Sequence, residues 1–300
     1  MAVNQVKEEM IIDLERTRVG MKRNFSQIGN TFTFELKKNL KTFLIMLILC
    51  AGIFLLFWLV QSLQEIQDVP LPENPIDYFQ SYLTMIGFLI ILTAAGFAGS
   101  IIAEDFQKQT GNLLFPKISK TRLLIGRVLA RYLLNAICII FYYLLASIIT
   151  FIKYEEFPLI ILISLGWALY YTFSIFIFVT FMSSIMKSTS ATVIVSIIFY
   201  LMIFSMIEQI MSFLAGGQEP FFILTYYENI LTGILDMPDP RYREVSFGGG
   251  PGTGLTEGIS FTQWITPNLM TAFWGMFLYS AILLTLAYIR YRRRQMKSED

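Results

Sequence analysis

Six stretches of the chain are long and apolar enough to cross the hydrocarbon core of a membrane as helices, which takes about 20 residues each. A segment that enters lipid must satisfy its own backbone hydrogen bonds, and a helix does so internally. We therefore predict an all-α polytopic membrane protein. The predicted spans are approximately Thr42–Leu63, Tyr82–Ala103, Tyr132–Ile152, Pro158–Met186, Ala191–Leu214 and Leu269–Ile289.

The composition excludes an ordinary soluble domain and most catalytic sites. Hydrophobic residues make up 55% of the chain and charged residues only 15%, which is too apolar for a soluble protein of this size. The chain has no histidine, so it has no His-metal site and no Ser-His dyad. Cys50 and Cys138 lie inside apolar runs, which favours packed thiols over a disulfide. We expect no catalytic residue, no metal, no cofactor bound by this chain and no nucleic-acid partner.

The basic residues predict the orientation. Twenty of the 23 Lys and Arg residues fall in the N-terminal arm (residues 1–41), the loop 104–131, the turn at Lys187 and the basic tail (residues 290–300). Positively charged loops face the cytoplasm. Both termini are therefore predicted to be cytoplasmic, in a multi-pass protein of the plasma membrane. The loop 64–81 has four acidic residues and no Lys or Arg, which places it outside.

An apolar stripe runs along the last part of the arm. Its residues recur in steps of three and four, which is the helical period. The pattern predicts an amphipathic helix, roughly Asn24 to Lys41, resting in the cytoplasmic headgroup layer. A helix face packed on a partner protein is the alternative. The stripe consists of Phe25, Ile28, Phe32, Leu36 and Leu40.

The external segment 215–268 has two parts. Phe221–Leu235 is apolar and predicts short helices that re-enter the membrane or lie on the outer leaflet, whereas Asp236–Gly258 is rich in Pro and Gly and predicts a mobile loop. The sequence GGPGTGLT in that loop has the spacing of a P-loop. However, Leu255 stands where the phosphate-contacting lysine is required, so we predict no nucleotide site there.

Glu208 is the one acidic residue inside an apolar run of the sequence. An ionisable group within a membrane span indicates a functional site by default. Glu208 and its neighbour Gln209 are therefore predicted as a possible substrate pathway. The alternative is that Glu208 lies close enough to the outer surface to be solvated.

The stretch from Gly99 to Arg131 is basic, is interrupted by glycine and proline, and still carries apolar residues at helical spacing. Its order of residue types is an acidic residue, a Gly-containing turn, an apolar pair, a proline with a polar Ser/Lys run, and a Gly-Arg pair. These residues are Glu104, Thr110-Gly111, Leu113-Leu114, Pro116 to Lys120 and Gly126-Arg127.

This order resembles the signature region of ABC-2 type permeases, the membrane subunits of ABC exporters. The six-span layout, the amphipathic arm helix and the apolar segment between the last two spans agree with that family. The chain departs from the family pattern in four ways: Thr110-Gly111 is inverted, Lys117 intervenes before Ile118-Ser119, Lys120 replaces an arginine, and Arg127 replaces a lysine.

The resemblance implies that Glu104–Lys120 contains a coupling helix that sits in a groove of a cytosolic ABC ATPase subunit. Phe106, Leu113 and Leu114 would be its apolar anchors, and Glu104 and Asp105 would belong to its polar rim. Gly111 and Pro116 belong to the same implied coupling site. The alternative is a solvated basic loop that only sets the topology.

The expected function is therefore that of a permease subunit of an ATP-driven exporter. It would pair with a second permease subunit, in a homo- or heterodimer, and would move an amphipathic or lipid-like substrate among the membrane lipids. ATP and Mg²⁺ would bind to the partner ATPase, so this chain would not itself be an enzyme. The alternatives are a secondary transporter or channel, or a non-transporting membrane scaffold or sensor.

Overall fold

The part of the chain that the structure describes is a helical bundle with six helices long and apolar enough to cross a membrane. The structure, a computed structural model, describes residues 25–68, 70, 72–107, 119–214, 219–247 and 259–293. The multi-pass, predominantly helical architecture predicted from the sequence is confirmed. We number the six helices as spans 1 to 6: Leu40–Ile66, Pro75–Ala98, Lys120–Tyr154, Ile160–Ile185, Thr189–Met211 and Leu269–Arg293.

Span 2 begins at Pro75, earlier in the chain than the predicted Tyr82. The hydropathy pattern missed this start because the first turn of the helix is polar. The side chain of Asn74 caps the helix by accepting the N–H of Ile76, and Pro75 occupies the first helical position. The helix Pro75–Tyr82 continues through a 3₁₀ turn, Leu83–Met85, into the helix Ile86–Ala98.

The turn residues 99–102 connect the end of span 2 to a short helix, Ala103–Gln107. The Ser183 hydroxyl of span 4 lies 3.1 Å from the N–H of Ile102 and 2.9 Å from the N–H of Ala103. The same hydroxyl lies 3.0 Å from the carbonyl of Gly99. One side chain of span 4 therefore holds the chain where it leaves span 2.

Span 3 begins at Lys120 and not at Tyr132 as predicted. About three turns of the predicted loop 104–131 are therefore the first part of a membrane helix. The hydropathy pattern placed the start of the span too late in the chain because Arg127 and Arg131 interrupt the apolar run. The helix ends at Tyr154, where Glu155 adopts a left-handed conformation with φ of 57°.

Spans 2, 3 and 4 form the core, and spans 1, 5 and 6 lie around them. In the most apolar window of each helix, 67% of the residues of span 2 are buried, against 11% in span 1 and 17% in spans 5 and 6. Span 4 packs on spans 2 and 6, and span 1 packs on span 3. Wide apolar faces on the three outer helices remain uncovered by the part of the chain that the structure describes.

Span 5 contains a change of helical type near its middle. The α-helix Thr189–Ile198 passes into a π-helical segment, Phe199–Phe204, and then into the α-helix Ser205–Leu214. Tyr200 in the π-helical segment is buried, and its hydroxyl lies 2.8 Å from that of Tyr171 in span 4. Such segments are frequent at functional sites.

The apolar segment before span 6 folds into the bundle. It contains the 3₁₀ helix Thr225–Asn229 and the short helix Ile230–Gly233. The Ser164 hydroxyl of span 4 donates to the carbonyl of Leu231 at 2.7 Å. Most of its apolar side chains are buried against the spans, as Ile223, Leu224, Tyr226, Tyr227, Ile230 and Leu231 are.

A small antiparallel β-hairpin follows, formed by Tyr242–Phe247 and Ile259–Trp264. The prediction of a loop over Asp236–Gly258 was therefore wrong for the first strand. Tyr242 pairs across the strands with Trp264 at a ring distance of 5.5 Å, and Arg241 lies over the Trp264 ring. Cross-strand aromatic pairs stabilise such hairpins. The GGPGTGLT sequence lies outside the described residues.

Candidate functional site

The arm is helical over residues 25–38, and the face it turns to the bundle is polar. Thr31, Glu35 and Asn39 are buried and lie four residues apart, on one side of the chain. The apolar stripe flanks this face: Ile28, Phe32 and Leu36 are partly buried, while Phe25 is 71% exposed. The sequence pattern identified the helix but not the side chains that attach it to the bundle.

Glu35 lies at the centre of a buried network of charges. One carboxylate oxygen accepts a hydrogen bond from Arg127 Nε at 3.1 Å. The other accepts from Arg131 Nε at 2.8 Å and lies 2.7 Å from Arg131 Nη2. Asn39 Nδ2 donates to the same oxygen at 3.1 Å. The arm helix is therefore tied to span 3 by two guanidinium groups.

Arg127 also joins span 3 to the short helix after span 2. Its Nη1 donates to Asp105 Oδ2 at 2.8 Å and to the carbonyl of Ile101 at 2.9 Å. The Tyr291 hydroxyl, at the end of span 6, donates to the same carboxylate oxygen at 2.6 Å. Asp105 therefore links three elements of the fold.

Arg131 makes the corresponding connections one turn further along span 3. Its Nη1 donates to the carbonyl of Phe97 at 3.2 Å and to Ser100 Oγ at 2.5 Å. Its Nη2 lies 3.4 Å from Glu104 Oε2, which also accepts a hydrogen bond from Lys38 Nζ at 2.8 Å. We refer to Glu35, Lys38, Glu104, Asp105, Arg127 and Arg131 as the charge cluster.

Three carboxylates face three basic groups in the charge cluster, and most of them are shielded from water. The side chains of Glu35, Asp105 and Arg131 are at most 1% exposed. Burial acts to raise the pKa of Glu35, but Arg131, Arg127 and Lys38 outweigh burial and hold that pKa below its ordinary value. Glu35 is therefore held in its charged form.

A glycine permits this close approach of the arm helix to span 3. A Cβ atom at Gly126 would lie 2.8 Å from Cβ of Thr31 and 3.1 Å from the carbonyl oxygen of Ile28. A larger residue at position 126 would push the arm helix away from the bundle. The Gly126-Arg127 pair therefore has a structural role in this chain: the glycine admits the helix and the arginine binds it.

Of the seven predicted coupling residues, the structure describes three. Glu104 and Asp105 are only 8% and 0% exposed, so they belong to the charge cluster and do not form an exposed rim. Phe106 is partly buried, and its ring lies edge-on to that of Tyr291 at 6.2 Å. The remaining four, Gly111, Leu113, Leu114 and Pro116, lie outside the described residues.

A second region with carboxylates lies at the opposite end of the bundle, between spans 2 and 5 and the short helices before span 6. It is a cavity of about 540 Å³ that we call the outer cavity. Two carboxylates, Glu208 and Glu228, share its wall. Gln209 is exposed and does not line it. The other lining residues are Thr84, Met85, Phe88, Tyr200, Leu201, Ser205, Thr225 and Asn229.

The carboxylates of the outer cavity are held by uncharged donors. Glu228 accepts a hydrogen bond from the Tyr200 hydroxyl at 2.5 Å and another from the N–H of Gly87 at 3.1 Å. Glu208 accepts from the Thr225 hydroxyl at 2.9 Å. No basic residue lines the cavity among the residues that the structure describes. A Cβ atom at Gly87 would lie 2.0 Å from Glu228 Oε2, so the contact depends on glycine.

The sequence patterns did not identify several residues of these two regions as site residues. Arg127 and Arg131 were counted as loop charges, although their spacing of four residues places them on one helical face. Glu35 shares that spacing with Thr31 and Asn39. No local signal marks Glu228, since it reaches the outer cavity only when the segment before span 6 packs into the bundle. In the described part of the chain, no group of three His, Cys, Asp or Glu side chains is arranged to bind a metal.

Neither the family models nor the curated proteins compared with the chain match it.

Proposed function

We propose that this chain is the membrane-spanning permease subunit of an ATP-driven exporter of the ABC-2 type. It would work with a separate cytosolic ATPase subunit, which binds ATP and Mg²⁺, and with a second permease subunit. The substrate would be amphipathic or lipid-like. The observation that carries the proposal is the charge cluster, because it lies directly beside the segment that resembles a coupling helix.

The charge cluster is a mechanical joint between four elements. Arg127 bonds Glu35 of the arm helix and Asp105 of the short helix after span 2. Arg131 bonds Glu35 and lies within ion-pair distance of Glu104. Each guanidinium of span 3 thus connects the arm helix to the short helix after span 2. Tyr291 adds span 6 to the joint. A displacement of one element is resisted by the other three.

In the sequence, residues of the joint flank the predicted coupling segment on both sides. Asp105 precedes residues 108–118 in the chain, and Arg127 follows them one to two turns into span 3. A force applied by an ATPase to that segment would pass through the cluster to spans 2, 3 and 6 together. Rigid-body movement of packed helices is a common form of such switching.

The uncovered faces of spans 1 and 5 support the presence of a second permease subunit. Both spans are largely exposed apart from their contacts to the core, and six helices are too few to enclose a wide pathway. The outer cavity would contribute to the route between subunits. Its Met85, Phe88 and Leu201 would contact apolar parts of a substrate, and Glu208 and Glu228 would contact polar parts.

Reconstitution with an ATPase tests the proposal. An ATPase that co-purifies with the full chain is combined with it in proteoliposomes, and both their association and ATP hydrolysis are measured. Leu114→Ala should weaken the association severalfold, since one central apolar anchor is worth more than about 1 kcal/mol. Phe106→Ala is a poorer test because Phe106 also packs on Tyr291 within the chain.

Arg243→Ala serves as the matched control. Arg243 lies in the hairpin and is exposed, and its Nε donates to Gln263. This variant should leave ATPase binding and hydrolysis unchanged. Full ATPase binding and full substrate-stimulated hydrolysis by Leu114→Ala would refute the assignment of the coupling segment.

The outer cavity favours one other candidate, a secondary transporter driven by an ion gradient. A buried carboxylate held by uncharged donors, as Glu228 is, is typical of ion and proton routes in such proteins. Proteoliposomes that contain only this chain separate the two. Substrate uptake driven by an imposed proton or sodium gradient and lost in Glu228→Gln would favour the secondary transporter, whereas an exporter subunit without its ATPase should show no uptake.

A further inference from the structure

An apolar groove between spans 3 and 6 lies beside the charge cluster, and none of the functions above uses it. It has a volume of about 420 Å³, within the range of ligand pockets. Leu124 and Val128 form its buried side, and Ile125 and Leu129 are 42% and 50% exposed along its opening. The groove is therefore open sideways, toward the surroundings of the bundle.

Polar and basic groups close one end of the groove. The hydroxyls of Thr121 and Tyr288 lie 3.1 Å apart across it. Next to them, Lys120 Nζ lies 5.7 Å from the centre of the Tyr291 ring and 3.4 Å from the carbonyl of Arg292. The groove is thus apolar along its length and positively charged at a single end.

Helix geometry directs one further positive charge to this end. Arg292 follows Tyr288 by four residues, so both lie on the same face of span 6, whereas Arg290 lies away from that face. Arg292 is exposed. Among the described residues, no carboxylate lies within ion-pair distance of its guanidinium group.

We propose that this groove binds one phospholipid with an anionic headgroup, from the leaflet on the basic side of the membrane. An acyl chain would occupy the groove along Ile125 and Leu129. The phosphate group would lie at Lys120 and Arg292. Complementary charge selects this occupant, since basic pockets between membrane helices on the basic side of the membrane bind anionic lipid headgroups.

The bound lipid would act on the charge cluster. Lys120 contacts the ring and carbonyl of Tyr291, and the Tyr291 hydroxyl donates to Asp105 of the cluster. Span 3 and span 6 meet only sparsely within the chain, so a lipid between them fixes their separation. Anionic lipid in the membrane therefore stabilises the joint that holds the arm helix.

Native mass spectrometry of the purified full chain tests this proposal. Dioleoyl phosphatidylglycerol and dioleoyl phosphatidylcholine are titrated separately into the protein in detergent. The first bound phosphatidylglycerol should appear at a concentration about 30-fold lower than phosphatidylcholine, since each of the two basic residues near an anionic lipid is worth about 1 kcal/mol. Equal binding of the two lipids would overturn the proposal.

Matched variants locate the site. Lys120→Gln and Arg292→Gln should each remove most of the preference for phosphatidylglycerol, whereas Arg290→Gln, on another face of the same helix end, should retain it. Ile125→Trp should fill the groove and reduce binding of both lipids, whereas Ile137→Trp, at an exposed position of the same span, should not. An equal loss of the phosphatidylglycerol preference in Arg290→Gln and Arg292→Gln would overturn the proposal, and so would undiminished lipid binding by Ile125→Trp. Either result would show that anionic lipid is attracted to a basic surface and does not bind in the groove.

Discussion

The charge cluster and the outer cavity both hold carboxylates against the bundle, but the partners of these carboxylates differ. In the charge cluster, Glu35 receives hydrogen bonds from two guanidinium groups. In the outer cavity, Glu228 receives one from a tyrosine hydroxyl and one from a backbone N–H. The first carboxylate is neutralised within the chain, and the second has no positive partner in the described part of its surroundings.

This difference separates a structural joint from a site that can respond to its surroundings. A carboxylate bound by fixed guanidinium groups stays charged, and its geometry is set by several short bonds at once. A carboxylate held by uncharged donors can take up a proton, or a positive group that enters the cavity, without breaking an ion pair. Under the proposed function, the charge cluster would transmit force and the outer cavity would contact the substrate.

The largest effect should come from breaking the charge cluster at Arg131. Arg131→Met leaves Glu35 and Glu104 without one of their basic partners in a buried position. Removal of one member of a buried ion pair costs about 3–5 kcal/mol. We expect a marked fall in the unfolding temperature of the protein in detergent, measured by intrinsic fluorescence.

Lys153→Gln is the control for Arg131→Met. Lys153 pairs with Glu65 near the opposite end of the bundle, and both side chains are 41% exposed. Exposed pairs of this kind contribute at most about 1 kcal/mol. Similar losses in the two variants would mean that the charge cluster is no more important to the fold than a surface ion pair.

A smaller effect should follow from Gly87→Ala in the outer cavity. The new methyl group would meet the Glu228 carboxylate at 2.0 Å, so Glu228 would have to give up its bond to the Gly87 N–H. Overpacking of this kind costs about 1–3 kcal/mol. The unfolding temperature should fall, and substrate-stimulated ATP hydrolysis of the reconstituted complex should fall with it.

Gly52→Ala in span 1 is the control for Gly87→Ala. It measures the general effect of alanine in a helix without a contact to Glu228. Nothing lies within 4 Å of a Cβ atom at Gly52, and alanine is favoured over glycine in a helix interior by up to about 1 kcal/mol. This variant should be neutral or slightly stabilised. If Gly87→Ala behaved in the same way, the proximity of Glu228 to span 2 would not constrain the fold.

The two regions also differ in how far they follow from the sequence. The spans could be predicted because hydropathy is a local property that the membrane enforces on every segment. The charge cluster was within reach, since the arginines at positions 127 and 131 share one helical face, but they were interpreted as loop charges. Glu228 was out of reach, because its approach to Gly87 joins positions 141 residues apart and depends on the packing of the whole segment before span 6.

The smallest and most specific effect should appear in the pH dependence of stability. The pKa of Glu35 lies below its ordinary value of 4.5. Its contribution to stability is therefore present above pH 4.5 and is lost as the pH falls through the lowered pKa. In Glu35→Gln, this loss on the acid side should disappear, although the variant is less stable at neutral pH.

Glu228 should behave in the opposite sense, and this contrast is the sharpest test of the comparison. Desolvation raises the pKa of Glu228, and the hydrogen bonds from Tyr200 and Gly87 only partly offset it. A raised pKa means that the contribution of Glu228 is full below 4.5 and is lost as the pH rises through the raised value. Glu228→Gln carries no titrating proton, so its unfolding temperature should vary less than that of the wild-type protein between pH 4.5 and neutrality. Parallel pH profiles for Glu35→Gln and Glu228→Gln would contradict the distinction between an ion-paired carboxylate and one held by uncharged donors.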